Sequence, residues 1–223
     1  MIIPPDNTIK HFTSKIIKWA ENNFAEYPWR KTKNNWHALV AEIMLQRTAA
    51  DQVVPVYNTF CNLYETPSDY YLNADGTLFD SLGLKWRAVK LHELSAVLSD
   101  NSIPEEKEKL LKLPGVGDYI AAAYRSMHLG HYDVIVDSNI VRLYGRYYGF
   151  DTDGETRRKK DLKELANKIT PLDSFQHYNY GIIDFTRVIC RPKPLCSECP
   201  LLSNKDSHFQ CHYGNLIKEL KEQ

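Results

Sequence analysis

The spacing of apolar residues is the sequence feature that most limits what this chain can fold into. Apolar side chains recur every three to four residues in nearly every segment, whereas strict apolar–polar alternation hardly occurs. The first such stripe comprises Ile9, Phe12, Ile16 and Trp19. This spacing gathers apolar residues on one face of a helix, and about nine helices of this kind follow one another. Only Val134 to Val136 resembles a strand, so the sequence predicts an all-α fold.

Composition and charge exclude several classes of protein. The 223 residues include 28 Lys and Arg against 28 Asp and Glu, which argues against a polybasic binder that relies on bulk positive charge. A hydrophobic share of 43% is typical of a globular chain rather than a disordered one. No apolar run is long enough to span a bilayer, and the N-terminus lacks the pattern of a secretory signal. We therefore expect a cytoplasmic protein without a membrane partner.

Four of the five cysteines cluster near the C-terminus, at Cys190, Cys196, Cys199 and Cys211. In a reducing compartment clustered thiols are more typical of metal ligands than of disulfides. The C-x2-C spacing between Cys196 and Cys199 allows two thiolates to share one metal, so an iron–sulfur cluster and zinc are both candidates. Cys61 lies far away and is expected to be a small core residue.

The segment Leu113-Pro114-Gly115-Val116-Gly117 separates two helical stripes. The proline ends the first helix, and the two glycines permit backbone conformations that other residues avoid. The next helix then begins with free N–H groups beside the glycines, an arrangement suited to binding a phosphate. A tight helix–helix turn without a ligand is the alternative. An aspartate further along the chain, Asp137, favours the functional interpretation.

The chain resembles the helix-hairpin-helix base-excision DNA glycosylases, the superfamily of endonuclease III and the adenine mismatch glycosylases. The resemblance rests on LPGVGDYIAAA and VDSNIVR, and it extends upstream to YPWR, AEIMLQRT and LGLKWRAVKL and downstream to YGIIDFTRVIC. It implies two helical domains. Residues 27–131 would form a six-helix barrel with the hairpin, and residues 1–26 with 132–223 would form a composite domain that carries a cluster loop at 190–211.

Asp137 and Asn139 lie at the predicted start of a helix, where an aspartate is a common N-cap. Cleavage of a nucleoside passes through an oxocarbenium-like sugar, which a fixed carboxylate stabilises. The resemblance implies that Asp137 is the catalytic aspartate and that Asn139 supports the pocket, as in the mismatch-glycosylase branch.

Glu42 is a single carboxylate inside an apolar helical segment, and it lies either on a solvated face or in a buried site. Burial would favour its neutral form, which donates a proton or a hydrogen bond to a departing base. The resemblance implies that Glu42 contacts the flipped base. Gln46, four residues later and hence on the same helical face, would fill the gap left by the flipped nucleotide. Arg47 would contact the orphaned base or a phosphate, with a plain surface arginine as the alternative.

Tyr119 determines the predicted reaction type. Bifunctional members of the superfamily have lysine at this position and form a Schiff base with the sugar, which a phenol cannot do. The resemblance therefore implies a monofunctional glycosylase, with Tyr119 in the active site. A packed core tyrosine is the alternative.

The cysteine spacing departs from that of the superfamily. The chain reads C-x5-C-x2-C-x11-C, whereas the family pattern around its [4Fe–4S] cluster is C-x6-C-x2-C-x5-C. The resemblance implies the [4Fe–4S] cluster, with zinc as the alternative metal. The long last gap leaves His208 or His212 as substitutes for Cys211. Arg191 and Lys193 resemble the phosphate-contacting basic residues of the family.

Three features indicate the base that is removed. The chain ends shortly after Cys211, so we expect no additional domain of the kind that reads 8-oxoguanine in adenine glycosylases. Lys85 and Trp86 stand where those enzymes have a tyrosine pair, and Arg47 with Asp184-Phe185 resembles thymine glycosylases. We expect a monomer that acts on mismatched double-stranded DNA and removes thymine or uracil opposite guanine. An adenine glycosylase acting on A opposite G or 8-oxoguanine, and a non-catalytic iron–sulfur DNA-binding protein, are the alternatives.

Overall fold

The computed structural model describes residues 3–83, 85–202 and 211–222, and these residues form eleven α-helices and no β-strand. The prediction of an all-α fold is confirmed. The helices are α1 (Asp6–Ala20), α2 (Asn35–Met44), α3 (Ala50–Leu63), α4 (Pro67–Asn73), α5 (Lys85–Leu98), α6 (Lys107–Leu110), α7 (Asp118–Ala123), α8 (Ser138–Tyr148), α9 (Lys160–Ile169), α10 (Phe175–Val188) and α11 (His212–Glu222).

Two details differ from the sequence-based predictions. The helix number is higher because α4 has 7 residues and α6 has 4, and such short helices show no full apolar period. Val134 to Val136 forms no strand. A strand needs a neighbouring strand to satisfy its backbone groups, and the described parts of the chain contain none.

The chain divides into two compact units, one of Glu26–Asp133 and one of Met1–Ala25 together with Val134–Gln223. In the first unit α2 is the central helix. Its N-cap is Asn34, whose side-chain oxygen accepts hydrogen bonds from the amides of Trp36 and His37. Every residue from Trp36 to Met44 is buried, so α2 is covered on all sides, and Glu42 is buried with it.

In the second unit α1 packs against α10 at close range. Gly181 of α10 permits this approach, because a Cβ atom at that position would lie 2.7 Å from the Cβ of Ala20. In the same core, the hydroxyl groups of Tyr178 in α10 and Tyr144 in α8 form a hydrogen bond of 3.1 Å. These contacts fix α8, the helix that begins directly after Asp137.

No helix among residues 3–83, 85–202 and 211–222 combines the length and the apolar character that crossing a bilayer requires.

Candidate active site and cysteine loop

Asp137 is the N-cap of α8, and both of its carboxylate oxygens are held. Oδ1 accepts a hydrogen bond from the amide of Ile140 at 2.7 Å, and Oδ2 accepts one from Asn139 Nδ2 at 2.8 Å. The carboxylate is half-buried and lies at the positive end of the helix dipole, which stabilises its negative charge. A carboxylate oxygen can accept a second hydrogen bond, so the group is fixed by these two bonds and is still able to interact with a cation.

Arg142 connects this carboxylate to the cysteine loop. Its Nη1 donates to Asn139 Oδ1 at 2.8 Å, and its Nε and Nη2 donate to the carbonyl oxygen of Cys190 at 3.3 and 3.0 Å. Burial lowers the pKa of Arg142, while the negative charges of Cys190 and Asp137 act in the opposite direction. Sequence reasoning missed Arg142. The available signal was its position three residues after Asn139 on a predicted helix.

Arg146, one turn further along α8, holds the first part of the cysteine loop. Its guanidinium donates to Cys190 Sγ at 3.5 Å and to the carbonyl oxygens of Arg191 and Pro192, both at 2.8 Å. The thiol of Cys211 donates to the carbonyl oxygen of Arg146 at 3.4 Å. The first and last cysteines of the motif are thus both bonded to one residue of α8.

The four thiols interact with one another electrostatically. Burial, with a smaller contribution from charge on the other three cysteines, raises the pKa of Cys199 to about 12. Burial likewise raises the pKa of Cys211 to about 11, again with contributions from Cys190 and Cys196. Backbone amides oppose both shifts by donating hydrogen bonds to the two sulfur atoms. Cys190 is buried and the other three cysteines are half-buried, and thiols in such mutual range would become stable thiolates if a cationic metal group neutralised them.

Within the described residues, no three His, Cys, Asp or Glu side chains converge closely enough to hold a single metal ion. Of the two histidines considered as substitute ligands, His212 is exposed, and its ring lies over Gly149 at the end of α8. His208 lies outside the described residues. Cys61 is half-buried, and burial raises the pKa of its thiol.

Glu42 forms a buried pair with His128. The side chain of Glu42 is 2% exposed and that of His128 is 5% exposed, and Glu42 Oε1 lies 2.9 Å from His128 Nε2. The structure therefore supports the buried alternative for Glu42 rather than a solvated helix face. His128 was missed by sequence reasoning, because a single histidine in an apolar segment carries no motif.

Gln46 and Arg47 lie in a turn, which corrects the prediction that Gln46 shares a helical face with Glu42. Helix α2 ends at Met44, and the amide of Gln46 bonds to the carbonyl oxygen of Ile43 in a tighter turn. Arg47 has φ of 56°, and no other non-glycine residue in the described part of the chain has a positive φ. Arg47 thus lies in the turn that follows α2, a segment in which the sequence has neither glycine nor proline to predict the end of the helix.

Arg87 holds this turn from inside the unit. Its Nη1 donates to the carbonyl oxygen of Met44 and its Nη2 to Thr48 Oγ1, both at 2.9 Å. The guanidinium is fully buried, and burial together with the nearby charge of Arg47 lowers its pKa. In the sequence, Arg87 is part of the LGLKWRAVKL motif. Its role in capping the C-terminus of α2 emerges from the structure.

In the hairpin only one of the two glycines is required by backbone conformation. Gly115 has φ of +79°, whereas Gly117 has extended backbone with φ of −103° at the N-cap of α7. A Cβ at Gly115 would lie 3.3 Å from the Cβ of Lys90, and a Cβ at Gly117 would meet nothing. Tyr119 follows in the first turn of α7 and is half-buried.

The other predicted DNA-contacting residues lie at the surface. Lys85 and Trp86 begin α5, and the indole of Trp86 is 46% exposed. Leu84, which precedes them in the quoted motif, lies outside the described residues. Arg191 and Lys193 are both exposed, and Arg191 Nε donates to the carbonyl oxygen of Lys193 at 3.1 Å.

Comparison with known proteins identifies the class. Residues 40–170 match the HhH-GPD superfamily of base excision DNA repair proteins. The chain is 33% identical to a thymine/uracil-DNA glycosylase of Pyrobaculum aerophilum over 94% of this chain and 96% of that one. It is 31% identical to an adenine DNA glycosylase of Buchnera aphidicola, covering 87% of this chain and 59% of that protein.

Among solved structures, the chain is similar to that of a thermostable thymine-DNA glycosylase. The TM-score is 0.80 at 32% identity, over 86% of this chain and 93% of the other. The chain belongs to the HhH-GPD superfamily of base excision DNA repair proteins. The predictions of this superfamily, of its fold and of a DNA N-glycosylase are confirmed.

Proposed function

We propose that the protein is a monofunctional DNA glycosylase that hydrolyses the N-glycosidic bond of thymine or uracil mispaired with guanine. The observation that carries this proposal is Asp137, held at the N-cap of α8 by Ile140 and Asn139 in a chain similar to thymine/uracil-DNA glycosylases along nearly its whole length. Its partner is double-stranded DNA that contains the mismatch, and we propose that it acts as a monomer on DNA inside the cell.

Asp137 would stabilise the sugar as the base departs. The C1′–N1 bond breaks, its electron pair leaves with the base, and C1′ becomes cationic. A carboxylate fixed by two hydrogen bonds needs little reorganisation to face that cation. Water then attacks C1′ and loses a proton, which leaves an abasic site. Asn139 would keep the carboxylate oriented through its bond to Oδ2.

We propose that Glu42 and Tyr119 also take part in the reaction. Glu42 is buried in α2 and would contact the flipped base. Tyr119 has a phenol where a lysine would form an imine with the sugar, so the product retains an intact strand at the abasic site. Its location in the first turn after the hairpin is compatible with this role.

Three groups of residues would bind the DNA around the flipped nucleotide. Gln46 and Arg47, on the turn held by Arg87, would enter the duplex at the vacated position. Lys85 and Trp86 offer a cation and a half-exposed ring for the opposite strand. The backbone N–H groups of Gly115 and Gly117 and the side chains of Arg191 and Lys193 would bind phosphates.

The cysteine loop fits a [4Fe–4S] cluster. Cys190, Cys196, Cys199 and Cys211 supply four thiols in mutual electrostatic range, and Arg146 and backbone amides donate to their sulfurs, an arrangement that suits a cluster with net negative charge. When bound, the cluster would cross-link the loop around the end of α8. Absorbance near 400 nm with about four irons per chain is expected, whereas a colourless protein with stoichiometric zinc contradicts the cluster.

Single-turnover assays test the substrate. Duplexes with one G:T, G:U, G:A or 8-oxoguanine:A pair are incubated with the protein and then treated with alkali, which cleaves abasic sites. Excision from G:T and G:U is the expected result. Excision of adenine alone would instead favour an adenine glycosylase, the activity named for the relative at 31% identity. A protein that binds these duplexes and excises no base would be a non-catalytic binder.

A further inference from the structure

The pair of Glu42 and His128 joins two ionisable side chains in the core of one unit. Glu42 comes from α2, which is buried on every side, and His128 is the last residue of a π-helical turn, Tyr124–His128, that continues α7. The amide of Leu129 bonds to the carbonyl oxygen of Tyr124, five residues back, which gives this turn its wider pitch. Such π-helical turns frequently occur at functional sites.

Burying a carboxylate and an imidazole lowers the stability of the fold unless the two groups form a hydrogen bond with each other. An apolar residue at position 128 would fill the same space without a polar atom to satisfy. The distance of 2.9 Å between Nε2 and Oε1 is favourable for a hydrogen bond. The imidazole therefore bonds to one carboxyl oxygen of Glu42, and Oε2 remains for another partner. The His128 ring is also tilted against that of Tyr124, with 6.3 Å between ring centroids.

We propose that His128 is a positioning residue that donates its Nε2–H to Glu42 and thereby keeps Glu42 a hydrogen-bond acceptor toward the flipped base. This inference rests on the proposed function, in which Glu42 contacts that base. A carboxylate oxygen accepts hydrogen bonds, and the Nε2–H of His128 lies within reach of Oε1 to donate one. The pair therefore determines which kind of base edge Glu42 can hold.

The consequence is a preference between two classes of base. Thymine and uracil each have one ring N–H, at N3, which a carboxylate oxygen accepts while the electron pair of the broken C1′–N1 bond spreads over the ring and its carbonyl oxygens. The ring nitrogens of adenine that are not bonded to sugar are acceptors, and adenine leaves readily only after one of them is protonated. Adenine excision thus requires a hydrogen-bond donor on Glu42, whereas thymine and uracil require an acceptor.

Two amide variants of His128 test this directly. The amide nitrogen of His128→Gln reaches the position of Nε2 and retains an N–H donor, whereas that of His128→Asn is one methylene shorter and falls short of Glu42 Oε1. Single-turnover excision from G:U and G:A duplexes is measured for both variants, for His128→Ala and for the wild-type protein. Circular dichroism, thermal melting and binding to an abasic-site duplex serve as controls for folding and DNA binding.

We expect His128→Asn and His128→Ala to slow uracil excision by at least tenfold and to raise the ratio of adenine to uracil excision. His128→Gln should remain within about threefold of the wild-type rate, and binding to the abasic duplex should change little in all three. Equal rates of uracil excision by the Gln and Asn variants would overturn the inference, and so would an unchanged ratio of adenine excision to uracil excision. In either case, uracil excision by the wild-type protein would still uphold the proposed function. A wild-type protein that excises neither base overturns both.

Discussion

Arg142 donates two hydrogen bonds to the carbonyl oxygen of Cys190, from Nε at 3.3 Å and from Nη2 at 3.0 Å. The same guanidinium holds Asn139, which holds Asp137, so the cysteine loop and the carboxylate are parts of one hydrogen-bonded network. A displacement of the loop would therefore reach the carboxylate through two side chains, those of Arg142 and Asn139.

Replacing Arg142 by lysine should separate charge from geometry. Lysine retains the positive charge but lacks the planar group that bonds to Asn139 and Cys190 at once. We expect a loss of about 1–3 kcal/mol in the free energy of unfolding and a lower excision rate. Urea denaturation and single-turnover kinetics on a G:U duplex measure the two effects. A variant with wild-type kinetics would show that the network does not orient Asp137.

Asp137→Asn should keep the fold and lose the reaction. Asparagine is as good an N-cap as aspartate, so α8 remains capped. The neutral amide no longer stabilises a cationic sugar, and excision should fall by two or more orders of magnitude at saturating enzyme. Binding to a mismatched duplex, measured by fluorescence anisotropy, should stay within a few-fold of wild type. Retained excision would assign the catalytic carboxylate to another residue.

Tyr119→Lys should add strand cleavage to base removal. A lysine amine in the first turn of α7 would attack the sugar C1′ and form an imine, which borohydride reduces to a stable protein–DNA adduct. We expect a trapped species on denaturing gels for this variant and none for the wild-type protein. Tyr119→Arg, which adds charge without a nucleophilic amine, is the matched control. Failure to trap any adduct would place the side chain away from the sugar.

Stability should decline at alkaline pH because of buried phenols. Burial raises the pKa of Tyr144 and Tyr178 above the ordinary value of 10.0, so the folded state keeps both neutral while the unfolded state ionises. The contribution of these two phenols to the free energy of unfolding is complete below pH 10. It is lost as the pH rises above 10, by up to about 1.4 kcal/mol per pH unit for each group. Tyr178→Phe should lose roughly 1 kcal/mol at neutral pH, and its deficit should shrink above pH 10. Urea denaturation from pH 8 to 11 measures both; a deficit that stays constant would contradict the assignment.

Gly181→Ala should destabilise the protein. The added Cβ would lie 2.7 Å from that of Ala20, so α1 and α10 would have to move apart, at a cost of about 1–3 kcal/mol. Gly154→Ala is the control, because a Cβ there meets nothing within 4 Å and the glycine does not have a positive φ. Equal melting temperatures for the two variants would show that the helices accommodate the methyl group.

Several features of the candidate site could be predicted because they depend on neighbouring residues. The position of Asp137 before a helix is readable from the apolar stripe that follows it, and a single carboxylate at a helix start is a common N-cap. The turn at Gly115 is likewise encoded locally, since its φ of +79° suits glycine. The prediction that Gln46 lies on the same helical face as Glu42 was wrong because α2 ends at Met44, without a glycine or proline that would mark its end in the sequence.

By itself, the sequence determined the helical class, the hairpin and the C-x2-C motif, which follow from periodicity and local spacing. Membership of the superfamily follows instead from the similarity of its motifs to those of known family members. Only the tertiary structure decided the partners of the candidate residues. Glu42 meets His128 across 86 positions of sequence, Arg142 meets Cys190 across 48 and Arg87 meets Met44 across 43. Such pairs form when helices pack, because a buried polar group needs a hydrogen-bond partner from the residues around it. No local sequence pattern shows which distant residue will supply that partner.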